Sequence, residues 1–301
     1  MRERVEFAAA WLGLKALGIL PRPVARWIGA VFVAISYWIR SPLRRAAMFN
    51  LQLAFPHWTD SERKRAVRGM IQQIGWMAGE FSQFPKYTPS NIERVVLVDG
   101  FENFDAARRA SKGVIFLTGH MSAWELAPFA QSLYGHPLHF LVRPIANVRV
   151  DALINGYRCL SGNKPIEKNR SARAILKVLN DGGTVGILAD QNTGLEEGVF
   201  VDFFGIPACT TAGLARIALR TGAAVVPGFL HWDPSRRKYC LSFSAAVELA
   251  RTGDEDADVR ENTARFTRVI EEYVRKYPDQ WLWVHKRWKN RPPGEKPIYD
   301  F

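Results

Sequence analysis

The sequence predicts an α/β fold: a central, mostly parallel sheet flanked by helices, with an N-terminal helical membrane-associating extension. Three observations predict it. From residue 94 onward, short runs rich in Val, Ile and Phe, each bounded by Gly or a turn, alternate with helical stretches. The runs VIFL and VGIL are apolar without alternation, as strands covered on both faces are. The first 45 residues instead carry two longer apolar runs with basic flanks.

The first run, Val5 to Leu20, contains Glu6 and Lys15 and is broken by Pro21-Arg22-Pro23. The second, Trp27 to Ile39, is followed by Arg40, Arg44 and Arg45. Each is shorter than the roughly 20 apolar residues a spanning helix needs. They read as helices lying in one leaflet with arginines on anionic headgroups; the competing reading is two buried core helices. No clear small-x-small cleavage site marks a signal peptide. Residues 46–90 show helical spacing, and Ser61 is placed to cap a helix there. The strands follow in RVVLVDG, GVIFLTG, LHFLVR, GTVGILAD, AAVVPGFL and KYCLSFSAAVEL. Helices are expected over Trp124–Leu133, Val148–Cys159, Ala172–Asn180, Ala212–Arg220 and Val259–Tyr277. The organisation is thus residues 1–45 as the extension and 46–301 as one α/β domain.

Bulk properties narrow the function. Hydrophobic residues make up 48% and charged residues 23% of the 301, which suits a globular core. The net charge of +12 favours an anionic partner: acidic lipid headgroups, an acidic carrier protein or nucleic acid. Ten tryptophans beside basic residues suit a bilayer interface as well as a core. Cys159, Cys209 and Cys240 form neither a CxxC nor a disulfide framework, so no structural zinc is expected. The absence of G-x-S-x-G, G-x-G-x-x-G and G-x4-G-K-[ST] leaves no support for a nucleophile-elbow hydrolase, a dinucleotide cofactor or a P-loop. Without a recognised RNA- or DNA-binding pattern, nucleic acid is not the expected partner.

The chemistry concentrates in Gly113-Val-Ile-Phe-Leu-Thr-Gly-His120-Met-Ser-Ala-Trp-Glu125, which reads as strand, tight turn, helix. Ligands of open α/β sheets bind at the carboxyl ends of strands. A histidine there is suited to take a proton from a hydroxyl near neutral pH, and a carboxylate on its far nitrogen would fix the tautomer. Glu125 can meet His120 only if the histidine lies in the turn and Glu125 in the first helical turn. A second reading stays open, since Ser122-Ala-Trp-Glu125 also matches the capping box S-x-x-E.

H-M-S-A-W-E fits the H-x4-D/E motif, and the chain resembles the bacterial lipid A biosynthesis lauroyl/myristoyl acyltransferase family of the glycerolipid acyltransferase superfamily. Asn50-Leu-Gln-Leu-Ala-Phe-Pro56, Thr118–Glu125, Ala189-Asp-Gln191 with Gly198–Gly205, Thr211–Arg220 and Pro278–Trp288 match its segments in order. The resemblance implies an O-acyltransferase domain over residues 46–301, with His120 as general base and Glu125 as its partner. Arg143, Arg170, Asp190 and Gln191 fall where the family has polar site residues and are expected to bind substrate. The donor would be an acyl carrier protein or coenzyme A thioester, and the acceptor a hydroxyl of a lipid A precursor. Another membrane glycolipid, such as a phosphatidylinositol mannoside or an ornithine-type lipid, is the alternative acceptor. A non-catalytic peripheral membrane protein is the third reading. No cofactor or metal is expected, and the implied location is the cytoplasmic face of a bacterial inner membrane. The segment W-L-W-V-H-K-R-W-K-N-R is expected at the interface, its arginines holding lipid phosphates.

Overall fold

A computed structural model describes residues 1–167 and 171–301. The seven-stranded sheet runs β1 (Val96–Asp99), β9 (Lys238–Phe243), β8 (Ala224–Asp233), β2 (Val114–Thr118), β5 (Thr184–Leu188), β3 (His139–Val142), β4 (Lys164–Glu167). β8, β2, β5, β3 and β4 are parallel; β9 runs against β8, and β1 follows β9. β8 changes partner midway: Ala224–Pro227 pair with β2 and Gly228–Asp233 with β9. A Cβ on Gly228 would lie 2.0 Å from the Phe116 ring, so only glycine fits at that changeover.

Successive residues of β2 enter different cores. Val114 and Phe116 join one apolar cluster, Ile115 and Leu117 the other, and every residue of the strand is buried. The two-sided burial read from VIFL is therefore what the fold contains. Helices α5 (Phe101–Ala110), α6 (Leu126–Leu133), α7 (Val148–Cys159), α8 (Ser171–Asn180), α9 (Gly213–Thr221) and α10 (Glu255–Lys276) complete the layers.

Some local expectations change. The 46–90 region is two helices, α3 (Ser41–Ala54) and α4 (Asp60–Gln83), separated around Pro56. Thr59, not Ser61, caps α4: its hydroxyl accepts from Glu62 N while Glu62 returns a bond to Thr59 N. The strand in KYCLSFSAAVEL stops at Phe243. β4, α5 and a separate hairpin of β6 (Gly198–Phe203) and β7 (Ile206–Thr211) were not anticipated as elements. The hairpin turns at Phe204-Gly205 with φ of 56° and 72°, the positive pair a two-residue turn needs.

The N-terminal extension is α1 (Arg2–Ile19) and α2 (Arg22–Ile39). α2 has two unlike faces. Ala25, Arg26, Gly29 and Tyr37 are buried, and α2 lies so close along α4 that a Cβ on Gly29 would sit 2.2 Å from the Gly75 carbonyl oxygen. The opposite face exposes Trp27, Val31, Phe32, Ile35 and Trp38. α1 has no buried residue at all. Among the described residues no helix is long and apolar enough to cross a membrane.

Candidate functional site

Strand register builds the site. β2 and β5 are parallel neighbours with Thr118 opposite Leu188, and the pairing continues as Ala189 N donates to Thr118 O at 3.1 Å. Two residues past that pair on each strand come His120 and Asp190, side by side at the carboxyl ends. His120 Nδ1 and Asp190 Oδ1 are 2.8 Å apart, and His120 N donates to Asp190 Oδ2 at 2.7 Å. Gly119 lets the strands carry the two groups this close: a Cβ there would meet the Asp190 carboxyl carbon at 3.1 Å, a contact the carboxylate would have to relieve by shifting. Asp190 is fully buried, yet held ionised: its carboxyl falls to about 2, with burial opposing and the His120 charge, the His120 bonds and Trp281 prevailing.

His120 responds in the opposite sense. Burial disfavours the imidazolium, but the Asp190 charge and hydrogen bond, helped by the Glu125 charge, raise its pKa above the ordinary value. With Nδ1 committed to Asp190, Nε2 is left to act on a ligand; Gln191 Nε2 lies 3.3 Å from it. The imidazole edge meets Trp124 with ring centroids 5.2 Å apart.

The expected contact between His120 and Glu125 is replaced by another. Glu125 sits at the N-terminal boundary of α6, and its two oxygens accept from Arg158 Nε at 2.8 Å and Nη2 at 2.6 Å. Strand register, not the five-residue spacing, selects the histidine's hydrogen-bonded carboxylate. The capping-box reading of Ser122 and Glu125 also gives way, since α6 has no side-chain cap. Ser122 instead adopts φ 52°, its N–H donating to Gln280 O at 2.6 Å and its hydroxyl to Gln73 Oε1 at 2.9 Å.

A cleft of about 200 Å³ opens beside these groups. His120, Glu125, Arg143 and Arg158 give it polar points, while Phe129, Phe140, Val142 and Leu188 make it apolar. Arg143 is on the rim, exposed, just past β3. Asp190 lies beneath His120, and Gln191 touches it from the side. Arg170 lies outside the described residues. Sequence reasoning did not single out Arg158, whose only signal is its place in the last turn of a helix with an exposed polar face.

The C-terminal segment is not at an interface. Trp281, Trp283, Trp288 and Arg287 are fully buried, and the segment forms the underside of the site. Trp281 Nε1 donates to Asp190 Oδ2 at 2.8 Å, and Leu282 N donates to His120 O at 3.1 Å. Asn192 N donates to His285 Nε2 at 3.0 Å, and burial pushes that imidazole down to about 4, keeping it a neutral acceptor. Arg287 has its charge spread over the Cys209 carbonyl and the Thr210 hydroxyl, and burial lowers it to about 10. Asn50, from the N-terminal motif, locks the segment by donating to the Trp283 and His285 carbonyls, both at 2.7 Å. Among the described residues no cluster of His, Cys, Asp or Glu is arranged to hold a metal ion.

Comparison with known proteins finds one family along nearly the whole chain. The family described as bacterial lipid A biosynthesis acyltransferase matches residues 3–290. A lipid A biosynthesis acyltransferase of Haemophilus influenzae is 26% identical, over 98% of this chain and 92% of its own. The lipid A biosynthesis lauroyltransferase of Escherichia coli is 28% identical over 94% of this chain and 92% of its own. The corresponding myristoyltransferase of the same organism is 24% identical over 95% and 88%.

Proposed function

The chain belongs to the bacterial lipid A biosynthesis acyltransferase family and is an acyltransferase, and we propose that it moves a fatty acyl group from an acyl thioester to a hydroxyl of a lipid A precursor at the cytoplasmic face of the inner membrane. The observation that carries this reading is a histidine whose Nδ1 is held by a buried, ionised aspartate while its Nε2 faces an apolar cleft. That is the arrangement a general base for a hydroxyl needs.

In the proposed step His120 Nε2 takes the proton as the acceptor oxygen attacks the thioester carbonyl. Collapse of the tetrahedral intermediate breaks the carbon–sulfur bond and leaves the ester, and the departing sulfur takes the proton from His120 to leave as the thiol. Asp190 orients the imidazole and stabilises its charge. Glu125 acts through its charge, and with Arg158 forms a polar wall of the cleft; Arg143 at the rim suits an anionic group of donor or acceptor. The apolar lining suits the acyl chain.

The outer faces of α1 and α2, with Arg2, Arg4 and Arg40 near their ends, support docking on an anionic membrane surface. The net charge of +12 suits an acidic carrier protein or the phosphates of coenzyme A as donor.

The test assays purified protein with acyl carrier protein and coenzyme A thioesters against a lipid A precursor, alongside mass spectrometry of lipids from a deletion strain. Transfer in vitro and an under-acylated lipid A in the strain support the reading. Unchanged lipid A and transfer to another glycolipid would replace the acceptor; no transfer with either donor would overturn the activity.

A further inference from the structure

We propose that Asn147 is a positioning residue coupling a lipid-facing α1 to the cleft, so that a bilayer of anionic phospholipid under α1 and α2 steadies α7 and the Arg158–Glu125 pair. The inference rests on the membrane-docking reading above and extends it to the site.

α1 is an 18-residue, largely apolar helix with no buried residue. In folded proteins most of a helix's stability comes from packing of an apolar face. Here α1 only half-buries side chains such as Phe7, Ala10 and Leu14, the last against the second apolar cluster, and is tied by hydrogen bonds near its two ends. At the C-terminal end, Gln83 Nε2 donates to Leu17 O at 2.8 Å. At the N-terminal end, Asn147 Nδ2 donates to Glu3 O at 2.9 Å and to Glu6 Oε2 at 3.0 Å. Between those ties Trp11 and Leu12 are exposed, as are Trp27, Phe32 and Trp38 of α2. Large exposed apolar side chains on both helices, flanked by arginines, call for a partner with an apolar interior and an anionic boundary, which a bilayer of anionic lipid supplies.

Asn147 faces both ways. It is 5% exposed. Its Oδ1 accepts from Arg149 N and Val150 N at 3.1 and 3.3 Å, capping α7, while its Nδ2 holds α1. The last turn of α7 carries Arg158, which grips both Glu125 oxygens in the cleft. The loop before Asn147 supplies Arg143 and Ile145 to the cleft rim, and Ile145 and Val148 are exposed apolar side chains on either side of Asn147. Bilayer, α1, Asn147, α7, Arg158 and Glu125 form one continuous chain of contacts. Lipid that immobilises α1 therefore removes freedom from α7 and from the cleft wall.

Hydrogen exchange on the full chain, with and without vesicles of phosphatidylglycerol and phosphatidylcholine, tests this. In the wild type, vesicles should slow exchange across residues 148–158 by at least about threefold, beyond the slowing in α1 and α2 themselves. Asn147→Asp keeps an oxygen to cap α7, but sets a carboxylate against Glu6 in place of the donor. It should pellet with vesicles as the wild type does and lose the slowing in 148–158. Asn147→Ser, which also caps but is too short to reach α1, should behave alike and guards against a variant that does not fold. Equal slowing in wild type and variants, slowing confined to α1 and α2, or no vesicle binding by the wild type would each overturn the proposal. Acyl transfer is not read out, so failure of the acyltransferase assignment leaves this result interpretable.

Discussion

At the scale of the residue, the two carboxylates near His120 have separable jobs. Asp190 is buried and shares two hydrogen bonds with His120; Glu125 is turned to Arg158 and reaches His120 only through its charge. His120→Ala should lower turnover by roughly 10² to 10⁴ and should also lower the melting temperature, since buried Asp190 loses its charge partner. The raised pKa of His120 sets the pH dependence. A base must be unprotonated to act, so turnover should climb with pH through a limb lying above the ordinary histidine value of 6.5. Asp190→Asn removes the interactions that raise that pKa and leaves burial, which lowers it, so the limb should move to lower pH. Turnover should fall too; the analogous carboxylate-to-amide change in a catalytic triad costs about 10⁴. Glu125→Gln removes only the smallest of the interactions that raise that pKa, so the limb should move down less than in Asp190→Asn, while turnover drops about tenfold or more, as a charged hydrogen-bond pair with Arg158 is lost. Full pH–rate profiles of both variants read this directly. A limb that moves with Glu125→Gln and not with Asp190→Asn would reverse the roles.

At the scale of the element, what was legible in the sequence was local. The H-x4-E spacing and the strand–turn–helix around it are contained in thirteen consecutive residues, and α7 begins and ends where its apolar spacing places it. Asp190 lies 70 residues from His120, and only the adjacency of β2 and β5 brings them together. Strand order is not written in any one segment, because several orders satisfy the same apolar runs. The C-terminal tryptophans misled for a related reason. Mixed Trp and Arg composition is common to a bilayer interface and to a core in which buried cations meet rings and carbonyls, and Arg287 lies 5.1 Å from the Phe203 ring centroid. The α2–α4 contact likewise escaped notice, although its glycines carry it. A Cβ on Gly75 would sit 2.3 Å from the Ala30 Cα, a backbone atom that cannot yield alone. Gly75→Ala should therefore push the helices apart and cost about 1–3 kcal/mol in denaturant unfolding. An unchanged midpoint would mean that α2 is not firmly seated on α4.

At the scale of the whole molecule, the proposed membrane docking combines the net charge of +12 with the outer face of α1 and α2, and the two contributions can be separated. Removing residues 1–40 is a poor way to do it. The deletion would strip α4 of the helix that covers Gly75 and Gly79, and would take Arg22 and Arg26 away from Glu80, whose side chain is only 1% exposed beneath them. A truncated chain that left the membrane fraction could have done so by aggregating. Trp27 and Trp38 offer a cleaner change, since both are more than half exposed and lie on the face of α2 turned away from α4. Trp27→Ser with Trp38→Ser should leave the melting temperature within a few degrees of native, as surface substitutions usually cost under about 0.5 kcal/mol each. The charge contribution responds to salt. Going from roughly 0.1 M to 1 M shortens the Debye length from about 10 to 3 Å, so binding to anionic vesicles should weaken in wild type and variant alike. The apolar contribution is not screened. At high salt the wild type should retain measurable binding through its exposed apolar side chains, while the double variant, left with those of α1, should retain clearly less; at low salt both should bind, the variant more weakly. Co-sedimentation with phosphatidylglycerol vesicles across that salt range gives all four values. If both lose binding at high salt, charge alone accounts for the association; if both retain it equally, the two tryptophans of α2 do not enter the bilayer and another apolar surface does.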